Sequence, residues 1–111
     1  MLTITTESFR RATLVTVSGR VDSNSSPELD QKLKDELNNG NNNLIINLAS
    51  VDYMSSAGLR AIVSALRNSK KNGGNLILSA PSARVREVLD LAGMESLFDI
   101  KSHDTEAIGS F

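Results

Sequence analysis

Cysteine is absent from this sequence, and histidine occurs only once, as His103. The lack of cysteine excludes a disulfide framework, thiolate zinc sites and cysteine nucleophiles. A single histidine speaks against a serine–histidine–acid triad and against a metal site with several histidine ligands. We therefore expect no metal and no cofactor. A cysteine-free chain also fits a reducing compartment such as the cytoplasm.

The chain also lacks an excess of charge of either sign, because it has 12 basic and 13 acidic residues and a net charge of -1. Without a basic surface for a phosphate backbone, we do not expect nucleic-acid binding. No apolar run approaches the roughly 18 residues that a membrane span needs, and polar residues interrupt the N-terminus, unlike in a signal peptide. The 111 residues match the size of one domain. We expect one soluble, cytoplasmic domain over residues 1–111, with no membrane partner.

Signals of catalysis are equally scarce. The stretch MSSAG, residues 54–58, lacks the first glycine of a G-x-S-x-G nucleophile elbow, and neither a G-x-G-x-x-G nor a phosphate-loop pattern occurs. Aromatic residues, which often line substrate pockets, make up only 4% of the chain. Asp22 and Asp52 could form a carboxylate pair, but nothing else indicates acid–base chemistry. We therefore expect a protein that is not an enzyme and has no small-molecule substrate.

The residues that are present form an alternating pattern of strands and helices. Strands are predicted, in order, at 2–9, 12–19, 43–48, 75–79 and 97–100. The first two predict an antiparallel hairpin at a sheet edge, and the next two are continuous apolar runs typical of strands buried on both faces. The asparagine-rich stretch 38–43 is interpreted as a loop, and the residues after 100 as a polar tail that can form one weak turn of helix.

Three helices are predicted between these strands. Ser26 is the predicted N-cap of the first helix and Pro27 its first residue, although Ser25 and Glu28 match a capping box one residue earlier. Its buried stripe would consist of Leu29, Leu33 and Leu37, and Gly40 would end it in a left-handed conformation.

The second predicted helix covers 57–71 and ends in lysines followed by glycines, as helix C-termini prefer. The third begins after Ser82 as N-cap and turns Val85, Val88 and Leu89 inward. Strands that alternate with helices of about 10–15 residues imply the α/β class. We expect a mixed, mostly parallel sheet of four to five strands that starts with the N-terminal hairpin.

In a parallel sheet, ligands and partners meet the loops outside the carboxyl ends of the strands. Two loops qualify, at 19–26 and 49–56, and they gather polar side chains at one edge: Asp22, Ser23, Asn24, Ser25, Asp52, Ser55 and Ser56. Structural roles compete with functional ones here, because serine leads the N-cap position and aspartate commonly forms turns.

The stretch DYMSSAGLRAIV, residues 52–63, contains more than a helix start requires. One serine suffices as N-cap. Gly58 in the first helical turn costs about 1 kcal/mol relative to alanine, and close approach of another backbone or of a ligand would explain it. Met54 is either an exposed apolar contact for a partner or a core methionine.

Residues 2–100 resemble, in order and spacing, the STAS domain family and within it the stand-alone bacterial anti-sigma factor antagonists. The segments that resemble the family are LVTVSGRVDSNSSPEL, NLIINLASVDYMSSAGLRAIVSAL and GGNLILSAPSARVREVLDLAGMESLFDI. The second of them contains a loop similar to the signature [D/S]-S-[S/T/A]-G-L.

The resemblance implies helices packed mainly on one side of the sheet and a binding module without catalytic activity. Unmodified family members bind an anti-sigma factor that is also a serine kinase, which makes it release its sigma factor. The kinase phosphorylates a serine of the signature loop and the complex dissociates. A metal-dependent serine/threonine phosphatase resets the switch.

Alignment on Gly58 and Leu59 puts Ser56 and Ala57 at the family's two hydroxyl positions and Ser55 where an aspartate is common. Because Ala57 cannot be modified, the resemblance assigns Ser56 as the phosphorylation site, with Ser55 in reserve. Partner contacts are expected around it, from Asp22, Ser23, Asn24, Asp52, Met54, Ser55, Ala57, Gly58 and Arg60.

Two positions in this loop have more specific expectations. Gly58 is expected to leave the backbone open to a kinase, and Arg60 to be a solvated surface residue rather than a brace for the phosphate. The alternative function is a STAS scaffold, or a module that senses an anion or a nucleotide at the same helix N-terminus. A hydrolase or transferase that uses the serines is a third hypothesis, which lacks a base.

Overall fold

Residues 2–111 are described by the computed structural model, and they contain the predicted alternation of strands and helices. The strands are β1 (Leu2–Ser8), β2 (Thr13–Val21), β3 (Asn43–Met54), β4 (Asn75–Ser79) and β5 (Asp99–Lys101). The helices are α1 (Ser26–Asn38), α2 (Ser56–Lys71), α3 (Ala83–Leu91) and α4 (Asp104–Gly109), with a 3₁₀ turn at Glu95–Leu97.

The strands form one five-stranded sheet in the order β1-β2-β3-β4-β5. β1 is antiparallel to β2, whereas each later pair of neighbours is parallel. The predicted α/β class, the mixed sheet and the edge hairpin are therefore confirmed. Because β2 and β3 are parallel neighbours, their carboxyl ends lie side by side, with Val21 opposite Met54.

The main core lies between the sheet and helices α1, α2 and α3. The leucine stripe predicted for α1 is buried: Leu29, Leu33 and Leu37 are 0%, 1% and 9% exposed. These side chains pack in one cluster with Leu44, Ile46 and Leu48 of β3 and with residues of α2 and α3. Each fully buried leucine contributes about 1.5–3 kcal/mol, so this face holds the fold together.

The opposite face of the sheet carries a smaller core, which the C-terminal residues cover. Ala107 of α4 is fully buried and belongs to a cluster with Ile45 and Ile77. Asp104 accepts a hydrogen bond from Asn47 Nδ2 at 2.9 Å, which ties the start of α4 to β3. The polar tail predicted after residue 100 thus contains a packed helix. Within residues 2–111, no helix combines the length and the apolar character needed to cross a membrane.

One predicted boundary is wrong at β3, which continues to Met54 instead of ending at residue 48. β4 pairs with β3 only as far as Asn47, opposite Ser79, so residues 49–54 have a neighbour on the β2 side alone. Register shifts near Ser18 and Arg20 let β2 follow this longer strand. A half-paired strand end tolerates polar residues, and such residues are also typical of a loop.

Smaller corrections concern the ends of other elements. Ser25 rather than Ser26 is the N-cap residue of α1, and Ser26 is its buried first residue. The last strand begins at Asp99, after the 3₁₀ turn, and not at residue 97. Ser82 is confirmed as an N-cap because its hydroxyl accepts from the Val85 N–H at 3.2 Å. Gly40 has φ +87°, the predicted left-handed conformation.

Candidate functional site

The candidate site lies where β2 and β3 end side by side. The N–H of Ser55 donates to the carbonyl oxygen of Val21 at 2.8 Å, which fixes the start of α2 against the end of β2. The loop 22–25 follows β2 directly, so it shares the edge of the sheet with the first turn of α2. The structure thus brings together the two segments that the topology predicted.

Asp22 organises the loop between β2 and α1. Its Oδ1 accepts hydrogen bonds from the main-chain N–H groups of Asn24 and Ser25, at 3.0 and 2.9 Å, and from the Ser25 hydroxyl at 3.1 Å. The Ser25 N–H is the largest cause that lowers the pKa of Asp22 below its ordinary value of 3.8, because these donors stabilise the carboxylate. The turn-forming role considered for Asp22 is therefore present.

The lowered pKa of Asp22 predicts a pH-dependent contribution to stability. The folded chain binds this proton more weakly than the unfolded chain does. The contribution is therefore fully present above the ordinary value of 3.8 and is lost as the pH falls through the lowered pKa of the folded state. We expect Asp22→Asn to be less stable than the parent near neutral pH, with a gap that narrows in acid. Urea unfolding of both proteins over the acid range measures this; a gap independent of pH would contradict it.

Arg20 and Tyr53 join the site although sequence reasoning did not single them out. The guanidinium carbon of Arg20 lies 4.0 Å from the centroid of the Tyr53 ring, and Arg20 Nε lies 3.3 Å from Asp22 Oδ2. Such exposed contacts contribute at most about 1 kcal/mol each. The contact depends on the pairing of Arg20 with Tyr53 across β2 and β3. An interpretation of residues 49–54 as a loop does not predict that pairing.

The two adjacent serines have different environments. Ser55 is the N-cap residue of α2, and its Oγ accepts from the Gly58 N–H at 3.1 Å. Ser56 is the first residue of the helix, is exposed, and its hydroxyl takes part in none of the side-chain hydrogen bonds of residues 2–111. One hydroxyl is therefore structural and the other is available to a reaction partner.

This difference predicts unequal effects of alanine at the two positions. Ser55→Ala removes the cap and is expected to cost about 1 kcal/mol of the free energy of unfolding. Ser56→Ala removes an unbonded hydroxyl and is expected to change stability by less than about 0.5 kcal/mol. Chemical denaturation of the two variants checks the pair, and equal losses would show that Ser55 alone does not cap α2.

Met54 and Gly58 lie beneath the site rather than on its surface. Met54 is 3% exposed, so it is a core methionine and not an exposed apolar contact. A Cβ built on Gly58 would lie 2.5 Å from Val21 Cγ1 and 2.7 Å from Met54 Sδ. Gly58 is therefore explained by close packing of α2 on the strand ends, and the access of a kinase to its backbone stays a prediction.

The remaining predicted contact residues surround Ser56 with different degrees of exposure. Ala57 is partly buried, whereas the exposed ones are Ser23, Asn24, Asp52 and Arg60. A shallow groove of about 380 Å³ runs beside Ser55 and Ser56 and includes Tyr53, Leu59, Val88 and Leu91. Leu91 is 81% exposed. Leu91 lies outside the inward face predicted for α3. An apolar residue outside that face indicates a contact surface, and this is the sequence signal by which Leu91 could have been found.

The chemistry that this site can perform is limited by what it contains. It has hydroxyls and carboxylates, but His103 precedes α4, whose buried residue packs on the opposite face of the sheet. Within residues 2–111, no three histidine, aspartate or glutamate side chains are grouped as a metal site requires. The arrangement is suited to a binding surface, on which the hydroxyls of Ser23 and Ser56 are exposed.

Comparison with known proteins places the chain in a family. A sequence model of the STAS domain matches residues 3–107. The chain belongs to the STAS domain family. The resemblance inferred from the three sequence segments is thereby confirmed.

This STAS domain is similar to proteins named as anti-sigma factor antagonists. It is 35% identical over 88 residues to the anti-sigma-B factor antagonist of Bacillus subtilis, covering 79% of this chain and 80% of the relative. The structure of an anti-sigma factor antagonist from Mycobacterium paratuberculosis has a TM-score of 0.89 at 23% identity, covering 99% of this chain and 93% of that one. The Bacillus cell fate determinant SpoIIAA in its phosphorylated form has a TM-score of 0.77 at 21% identity, covering 97% and 98%.

Proposed function

We propose that this STAS domain is an anti-sigma factor antagonist that is switched by phosphorylation of Ser56. The unphosphorylated form binds an anti-sigma factor that is also a serine kinase, so that the sigma factor is released. The kinase then transfers the γ-phosphoryl group of ATP to the Ser56 hydroxyl, and the complex dissociates. The observation on which this proposal rests is that Ser55 caps α2 whereas the adjacent Ser56 hydroxyl is exposed and unbonded.

The first turn of α2 is suited to accept a phosphoryl group without refolding. At the start of the helix the N–H of Gly58 is bonded to Ser55 Oγ, and that of Leu59 to the Ser55 carbonyl. The N–H groups of Ser56 and Ala57 are left to bind phosphoryl oxygens. The helix dipole also favours a negative charge at this end. We therefore expect the modified chain to remain folded.

The phosphoryl group would disrupt the binding of a partner, although it leaves the fold intact. A phosphoryl group adds a charge of about -1.5 to -2, and the same sheet edge already carries the carboxylates of Asp22 and Asp52. Burying this charge under a partner leaves it without compensation, which is strongly unfavourable. The modification would therefore remove binding while leaving the fold intact.

The proposed contact surface consists of exposed polar residues and an apolar groove. Ser23, Asn24, Asp52 and Arg60 supply the polar part around Ser56. The groove that ends at Leu91 supplies an apolar part next to the same serine. Interfaces combine an apolar centre with a polar rim, and this surface has both components.

The names of the relatives support the proposal. The Bacillus subtilis relative is named an anti-sigma-B factor antagonist, and the fold is shared with SpoIIAA, which is known in a phosphorylated form. We also propose, as the family resemblance implies, that the reset step is hydrolysis of the phosphoserine by a metal-dependent serine/threonine phosphatase. The chain itself would act in the cytoplasm, where sigma factors act, and would be no enzyme.

Phosphorylation in vitro tests the assignment of the acceptor. Incubation with the cognate anti-sigma factor kinase and ATP, followed by peptide mass spectrometry, is expected to place the phosphate on Ser56. Ser56→Ala is expected to remain unmodified, and Ser55→Ala, the matched control, to be modified still. A phosphate on Ser55 in the parent would contradict the assignment. Absence of any phosphate, together with an anion held at the first turn of α2, would favour the anion-sensing alternative.

A further inference from the structure

The edge of the sheet opposite to Ser56 carries a second concave region, which we call the amino-edge cavity. Three loops meet there, at the amino ends of β2, β3 and β4: residues 9–12, 39–42 and 72–74. The cavity has a volume of about 340 Å³, within the range of about 300–1,000 Å³ that small-molecule sites occupy. We propose that it binds a small metabolite bearing a carboxylate or a phosphate group, held by Arg10 and Arg11.

The lining of the amino-edge cavity is polar and cationic. Its thirteen residues include two arginines, four asparagines and three glycines, and none of them is acidic. Arg10 takes part in none of the ion pairs of residues 2–111. Arg11 makes one long hydrogen bond, from Nη1 to the main-chain oxygen of Phe111 at 3.4 Å. Guanidinium groups that are not paired with a carboxylate side chain can bind the oxygens of carboxylates and phosphates.

The loop that carries the two arginines is held in place by hydrogen bonds. Within it, the N–H of Phe9 donates to the Ala12 carbonyl at 2.8 Å. Asn43 Nδ2 donates to the carbonyl of Arg11 at 3.0 Å, which ties the loop to the start of β3. Asn43 Oδ1 in turn accepts from the Asn75 N–H at 3.2 Å. The arginines therefore project from a fixed frame, which lowers the ordering cost of binding.

The other two loops pack directly on each other. A Cβ at Gly74 would collide with the carbonyl group of Asn42, because it would lie only 2.6 Å from the carbonyl carbon. Asn72 Nδ2 also donates to Asn42 Oδ1 at 3.4 Å. This side of the cavity is thus formed before any ligand arrives, as small-molecule sites usually are. The asparagine-rich stretch 38–43, which the sequence marks only as a loop, here supplies neutral amide groups to the cavity.

The size of the cavity indicates a metabolite rather than a bare ion. It is larger than an inorganic phosphate requires, and Phe9, which is 36% exposed, is one of its lining residues. An aromatic ring offers apolar contact to the carbon skeleton of a ligand. Phosphate esters and polycarboxylates share the recognition chemistry, and the experiment separates them.

The proposal does not rest on the phosphorylation switch. The cavity shares no lining residue with the groove beside Ser56, and the two lie at opposite ends of the parallel strands. A variant of Ser56 is therefore expected to leave ligand binding at the cavity unchanged, so that failure of one proposal can be told from failure of the other.

An NMR titration of the ¹⁵N-labelled chain tests the proposal with three probes: inorganic phosphate, AMP and citrate. We expect saturable shifts of the Gly40, Gly73 and Gly74 amide signals, with a Kd below about 1 mM for AMP or citrate. Shifts with AMP alone identify the ligand class as phosphate esters, and shifts with citrate alone identify it as carboxylates. The double variant Arg10→Gln/Arg11→Gln is expected to raise that Kd by about tenfold or more.

The matched control removes two exposed arginines elsewhere, in Arg67→Gln/Arg84→Gln, and is expected to change the Kd by less than about twofold. If none of the three probes gives saturable shifts at these glycines, the amino-edge cavity is not an anion site. Equal weakening by both double variants would also overturn the proposal, because it would trace binding to net charge rather than to Arg10 and Arg11.

Discussion

Ser56→Asp is expected to weaken binding to the cognate anti-sigma factor by about a hundredfold or more, because a charge buried at an interface without compensation costs several kcal/mol. The free chain should respond differently. A carboxylate at the first position of α2 interacts favourably with the helix dipole, by about 0.3–1 kcal/mol. Affinity should therefore fall while the free energy of unfolding stays level or rises. Isothermal titration calorimetry and urea unfolding measure the two quantities separately.

Two control variants test whether the loss of affinity depends on a charge at position 56. Ser56→Ala removes the acceptor hydroxyl without adding charge, and its affinity is expected to stay within about threefold of the parent, because most interface side chains contribute little when truncated. Asn68→Asp puts the same charge on an exposed position near the other end of α2, and its affinity should be unchanged. Parental affinity in Ser56→Asp would show that charge at this position does not gate binding. An equal loss in Asn68→Asp would assign the effect to net charge.

The parts of the fold that could be predicted from the sequence are those set by local periodicity. The continuous apolar runs of β3 and β4, at 43–48 and 75–79, are buried on both faces as expected. The four-residue spacing of the α1 leucines gave the correct buried stripe. Once the order of elements was known, the carboxyl edge of the sheet followed from topology alone.

The parts that could not be predicted depend on non-local pairing. Within residues 49–54, Ser50 and Asp52 are polar, and the segment pairs with β2 across two shifts of register that no local pattern predicts. Helix α4 has one fully buried residue, Ala107, which stabilises the helix on the sheet through its contacts with Ile45 and Ile77. No pattern within 104–109 indicates these contacts, so the sequence alone does not predict a packed helix there.

For the candidate site, the sequence identified the segments but not the roles within them. The family alignment preferred Ser56 over Ser55, and the hydrogen bond from Gly58 N–H to Ser55 Oγ supplies an independent physical reason for the same preference. Met54 could not be assigned, because a methionine at a strand end suits core and surface equally. The stacking of Arg20 on Tyr53 required a strand pairing that was not foreseen.

Gly58→Val is expected to lower the free energy of unfolding by about 3 kcal/mol, and Gly58→Ala by about 1 kcal/mol. A Cβ at this position would meet Val21 Cγ1 at 2.5 Å and Met54 Sδ at 2.7 Å. Both side chains are buried, at 0% and 3% exposure, so neither can move into solvent. Overpacking of about 1–3 kcal/mol outweighs the gain of about 1 kcal/mol in helix propensity. Urea unfolding curves of the variants measure the loss.

Two further variants separate close packing from the general effect of replacing glycine. Gly109→Ala is a matched control, because it also lies in a helix and a Cβ there would meet nothing within 4 Å; it is expected to keep or raise stability. Val21→Ala removes the closest contact, so in that background Gly58→Ala should cost about 1 kcal/mol less than in the parent. If Gly58→Ala behaved like Gly109→Ala, the space above Val21 would not be limiting. With the predicted coupling, the packing of Gly58 on Val21 sets how closely the first turn of α2, and Ser56 with it, is held to the end of β2.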